Sequence, residues 1–153
     1  MFLYVLRLLL AIYFIKYYYG LLKPKVFRML FTSQSDYLTN MRQKYLETKQ
    51  GWDNTVCKVS NENGMTLNLP FTRVVTMVSF FQLSMIVASA LLIRDFNYLL
   101  FICLFASIHL IEHRIMSCFY QGKETMTMMW FDRLIFMFNY IAYGIVIIAL
   151  IFL

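Results

Sequence analysis

The chain of 153 residues is 61% hydrophobic and only 14% charged, with a mean hydropathy of +0.63. Soluble domains average about 45–50% apolar and about 25% charged, and one this short has too little interior to bury so much apolar surface, so lipid is the expected solvent. The net charge of +6 comes without a basic–aromatic nucleic-acid motif, and the three dispersed cysteines lack any Cys-x-x-Cys pair; nucleic acid, a disulfide framework and a zinc knuckle are set aside.

Residues 1–22 begin like a signal peptide, but they lack a small-residue cleavage pattern and bulky Tyr17, Tyr18 and Tyr19 follow the apolar part. The segment is read as a retained first membrane helix. Arg7 and Lys16 interrupt it, and a span needs about 20 residues. Both cations are therefore expected to snorkel to opposite surfaces, or to meet lipid or a protein partner. An interfacial or kinked helix is the alternative.

Gly20 and Pro24 close that element, and residues 23–73 form a polar, basic segment. Ser33 to Asp36 has the form of a capping box. Tyr37, Leu38, Met41 and Tyr45 then recur at helical spacing, with Arg42, Lys44 and Lys49 around the rest of the circumference. This predicts an extramembrane amphipathic helix stopped at Gly51. It would lie on the membrane or its own bundle, or dock onto a partner through Tyr37, Met41 and Tyr45. Alternation over 55–60 and again at Met65, Leu67 and Leu69, around Asn63-Gly64, predicts a short β-hairpin.

Residues 74–93 hold twenty uncharged positions, the clearest membrane span. Thr76, Ser79, Gln82 and Ser89 fall along one side, a pattern of close helix packing. Arg94-Asp95 is so short a connection that the next helix, 96–120, must return antiparallel. Gly122 breaks it, and 134–153 supplies another twenty uncharged residues. The expected fold is thus an all-α membrane protein with four transmembrane helices, the last three (within 74–153) forming a bundle. Residues 23–73 carry eight basic residues, and Arg114, Lys123 and Arg133 follow the third span. The opposite loop offers Arg94 alone. The positive-inside rule then sets both large loops on the cytosol or matrix side.

Chemistry concentrates at His109, Glu112 and His113, at i, i+3 and i+4 on one helix. Imidazoles and a carboxylate at this spacing can share a metal, and His-x-x-Glu-His is the inverzincin arrangement; a membrane histidine can also ligate haem iron. Against these, no other helix carries a second histidine, and only Asp132 and Glu124 remain as distant acidic ligands. The structural reading is a polar clasp in which Glu112 pairs with Arg133 and Arg114 with Asp132. For Asn139, a helix–helix hydrogen bond is expected before transport.

The function expected from these residues is a non-catalytic subunit of a larger membrane complex, assembled with other membrane subunits and phospholipids such as cardiolipin. The mitochondrial inner membrane is the favoured setting, in a respiratory-chain or ATP synthase complex, with the endoplasmic reticulum as alternative. No cofactor is required. The second expectation is a redox anchor that binds b-type haem or quinone through His109 and His113 with a partner, and the third is an intramembrane metallohydrolase.

Overall fold

A tight hairpin sets the register of the bundle. Helix α4 (Phe71–Ile93) and helix α5 (Phe96–Tyr120) are joined by Arg94 and Asp95 alone. Arg94 turns the chain in the left-handed region at φ 57°, and its N–H bonds to the Ala90 carbonyl at 3.1 Å. Asp95 caps the returning helix, its Oδ1 accepting from Tyr98 N–H at 2.8 Å. Just inside the turn the Ser89 and Tyr98 hydroxyls meet at 2.8 Å, which satisfies two buried polar groups at once.

The computed structural model describes residues 2–64, 70–123 and 125–153, and among these the chain forms six helices and no strand. Besides α4 and α5 they are α1 (Phe2–Leu21), α2 (Pro24–Met29), α3 (Gln34–Asn63) and α6 (Met126–Phe152). Four of them, α1, α4, α5 and α6, are long and apolar enough to cross a membrane. Their apolar side chains face outward as well as inward. Leu91 is 70% exposed and Ile148 60%, the pattern of helices solvated by lipid.

The four long helices share one core. Helix α1 runs antiparallel to α6, with Phe14, Tyr17 and Phe105 gathered around Tyr143 at centroid distances of 5.8, 4.8 and 5.0 Å. Tyr13 meets Phe81 of α4 edge-on at 5.9 Å. Aromatic pairs at these distances add about 0.5–1.5 kcal/mol each beyond their area. The first helix thus packs as closely as the three that follow the polar segment.

That polar segment forms helices rather than a helix and a hairpin. Pro24 opens α2 at a position where its missing N–H costs nothing. Ser33 caps α3, its Oγ accepting from Asp36 N–H at 3.2 Å and donating to Asp36 Oδ2 at 2.6 Å. The expected stop at Gly51 does not occur. A single helical glycine costs only about 1 kcal/mol, and the Gly51 carbonyl accepts from Thr55 Oγ1 at 2.8 Å. Residues 55–60, expected as the first strand of a hairpin, lie inside α3, with Val56, Val59 and Ser60 half-buried at helical spacing. The expected second strand, 65–69, lies outside the described residues. The Asn-Gly pair read as a hairpin turn instead ends the helix. Gly64 takes φ 62°, a left-handed cap that glycine adopts without a Cβ penalty.

Candidate functional site

Ser79 stands fifteen residues before Arg94 and His109 fifteen after it. Across a two-residue hairpin this places them at one depth on facing helices. His109 Nε2 lies 3.1 Å from the Ser79 carbonyl oxygen and 3.2 Å from its hydroxyl. With Nε2–H donating to that carbonyl, Nδ1 faces Glu112 Oε2 at 3.5 Å and has no closer partner. Asn139 of α6 donates from Nδ2 to the same Oε2 at 3.1 Å. The expected interhelical bond of Asn139 therefore exists, and its acceptor is Glu112. His109 and Asn139 are 4% and 3% exposed, so this is a polar chain inside the bundle linking α4, α5 and α6.

A cavity of about 380 Å³ opens beside the chain. Its polar wall is Tyr17, Ser79, Gln82, His109, Glu112 and His113; valines of α4 and Met116 complete it. The Tyr17 hydroxyl stands near Gln82 and Tyr143. Thr48 of α3 and Phe71, the first residue of α4, line the end nearest the polar segment. The volume falls within the range of small-molecule sites, roughly 300–1,000 Å³.

Helical spacing alone does not make His109, Glu112 and His113 a ligand set. His109 turns to Ser79, while His113 packs toward Phe80 at a centroid distance of 6.0 Å. Among the described residues no three His, Cys, Asp or Glu side chains are grouped to hold a metal ion.

The expected clasp between Glu112 and Arg133, and between Arg114 and Asp132, is replaced by different partners. Asp132 Oδ2 accepts from the Tyr37 hydroxyl at 2.5 Å, and both residues are buried. Arg133 lies over the Tyr37 ring, 4.6 Å from its centroid, and donates from Nη2 to the carbonyls of Thr32 and Ser33 at 2.8 and 2.9 Å. Those two carbonyls stand where α2 gives way to α3, so Arg133 holds the linker as Tyr37 holds the helix. Arg114 is exposed. The physical reason is depth. Glu112 is committed inside the bundle to Asn139, whereas Asp132 and Arg133 meet Tyr37 of α3, a helix distant in sequence. Burial pushes the Tyr37 hydroxyl pKa up, as do the Asp132 charge and its hydrogen bond, so Tyr37 stays a donor.

The remaining expected contacts divide. Arg7, expected to meet lipid or a partner, sends its Nε and Nη2 to the Leu92 carbonyl of α4 at 3.1 and 2.5 Å. That carbonyl is one of the four that a helix C-terminus leaves unpaired, and a cation there also meets the negative end of the dipole. Lys16 is exposed and lines a groove with Lys44. Met41 is half-buried, and the Tyr45 ring lies 5.8 Å from Phe71. Tyr17, Ser79, Gln82 and Asn139 join the site through tertiary packing. Counting outward from Arg94-Asp95 is the signal that would have paired Ser79 with His109.

Comparison with protein-family models, curated proteins and solved structures finds no match. Fold and site define a class: an integral membrane protein in which, among the described residues, four helices are long and apolar enough to cross a membrane and a polar chain runs inside the bundle.

Proposed function

We propose that this chain is a non-catalytic integral subunit of a multiprotein membrane complex, acting in assembly, packing and lipid contact. The observation that carries the reading is α3. It is thirty residues long, about 45 Å at 1.5 Å per residue, and it meets the bundle through Tyr37 and Tyr45 in its first half. From Leu46 to Thr55 every residue except Trp52 is exposed. A helix this long, outside the membrane-crossing set and exposed over most of 46–55, is suited to engage a second protein. We favour the mitochondrial inner membrane and a respiratory-chain or ATP synthase complex on the basic, Phe-, Tyr- and Met-rich composition, with the endoplasmic reticulum as the alternative. Mild detergent extraction, native electrophoresis and mass spectrometry test the reading, with a photo-crosslinker at Lys49 or Asp53. Co-migrating subunits crosslinked to α3 are expected; a stable monomer with no crosslinks refutes it.

A second reading, a redox anchor, is favoured by the cavity beside His109 and His113. Haem ligation through His109 would displace its bond to Ser79, so within this reading a ligand of the cavity ranks above haem iron. The metallohydrolase is not carried forward, because the two histidines address different partners.

A further inference from the structure

We propose that the cavity between α1, α4 and α5 binds a neutral hydroxyl- or carbonyl-bearing ring of the quinol and quinone class, with one ring oxygen at the His109–Glu112 pair. The inference deepens the redox-anchor reading and rests on it.

Two independent features point to a ligand. One is the cavity itself, about 380 Å³ with apolar valine walls and a polar wall confined to one side. The other is His109, 4% exposed and lining that cavity, whose buried Nδ1 lacks a hydrogen-bond partner. Nδ1 and Glu112 Oε2 present facing lone pairs at 3.5 Å unless a proton lies between them. A ring hydroxyl entering there donates to the carboxylate and accepts from a protonated Nδ1, completing both groups. A ring carbonyl can only accept, so it engages His109 and adds nothing to the bond that Glu112 already accepts from Asn139.

Charge selects a neutral guest. A protonated His109 beside the Glu112 carboxylate is a net-neutral pair that offers an anion no counter-charge, and the end lined by Thr48 and Phe71 adjoins the basic α2–α3 segment, with Lys44 and Arg73 exposed nearby in sequence, which disfavours a small cation. A neutral ring with an apolar tail meets neither barrier and reaches the cavity from lipid.

The test uses the full-length chain, with its co-purifying subunits, in phosphatidylcholine nanodiscs. The probe is an azido-benzoquinone competed by decyl-benzoquinone or its quinol. Saturable labelling on α4 and α5 peptides is expected. Val75→Trp, which fills the cavity, should lower labelling at least about tenfold, as should Thr48→Trp at the mouth, where the bundle is untouched. Glu112→Gln should weaken quinol about tenfold and quinone far less, since only the hydroxyl makes the charge-assisted bond. Non-saturable labelling of lipid-facing positions, no change in the properly folded Thr48→Trp variant, or equal effects of Glu112→Gln on both forms overturns the proposal. A haem absorption band without quinone labelling overturns the ligand class while the redox-anchor reading stands.

Discussion

Tyr37→Phe isolates the bond that fastens α3 to the bundle. The substitution keeps the ring, and with it the burial of Tyr37 at 2% exposure and the Arg133 guanidinium stacked 4.6 Å from the centroid. It removes only the hydroxyl that donates to Asp132 Oδ2, leaving an acceptor on a residue 5% exposed without its donor. A hydrogen bond to a charged group contributes about 1.5–3 kcal/mol. At 1.4 kcal/mol per decade, the undocked population of α3 should rise roughly ten- to hundredfold. Hydrogen exchange read by mass spectrometry reports this directly. Amides near the start of α3 should lose protection by that factor while the α5 amides around Phe105, in the shared core, keep theirs. The pKa of Tyr37 is raised above its ordinary 10.0 in the folded chain, so while Asp132 is ionised the hydroxyl's contribution is present up to about pH 10 and declines as pH climbs through the raised value. Unchanged protection in α3 would show that Tyr37 does not fasten it; uniform loss across all helices would show that α3 does not open on its own.

Arg7→Met should destabilise the bundle by about 1.5–3 kcal/mol in a detergent unfolding titration, because two charged donors leave the Leu92 carbonyl. Arg7→Lys should recover only part of that, lacking the planar fork, and a Met variant as stable as wild type refutes the capping role. Asn139→Leu should cost about 0.6 kcal/mol and no more than about 1.7 in the same titration, the range for interhelical hydrogen bonds in membranes. A stabilised variant would show that the bond to Glu112 contributes nothing.

The two polar sites differ in how they can be reached by experiment. The Tyr37–Asp132–Arg133 cluster joins α3 and the linker before it to the start of α6, so its loss is local. The Ser79–His109–Glu112–Asn139 chain joins three membrane-crossing helices, so changes there alter packing and cavity together. For that reason the ligand test relies on Thr48→Trp as well as on residues of the chain itself.

The sequence alone determined the helical spans, the tight return at Arg94-Asp95 and the cap at Ser33. Each depends on local properties: twenty residues without charge, two residues too few for anything but a hairpin, a hydroxyl three positions before an available N–H. It also marked His109, Glu112, Asn139, Asp132 and Arg133 as polar groups needing partners. Who those partners are was decided only in three dimensions. Glu112 meets Asn139 rather than Arg133, Asp132 meets Tyr37 rather than Arg114, and Arg7 meets a carbonyl of α4. Partner choice depends on the depth and rotation of helices distant in sequence, which hydropathy does not encode. The fate of 55–63 has the same origin. A six-residue alternation fits a strand or a helix, and Asn-Gly serves a turn or a helix cap, so the choice fell to the continuity of α3 from Gln34 to Asn63.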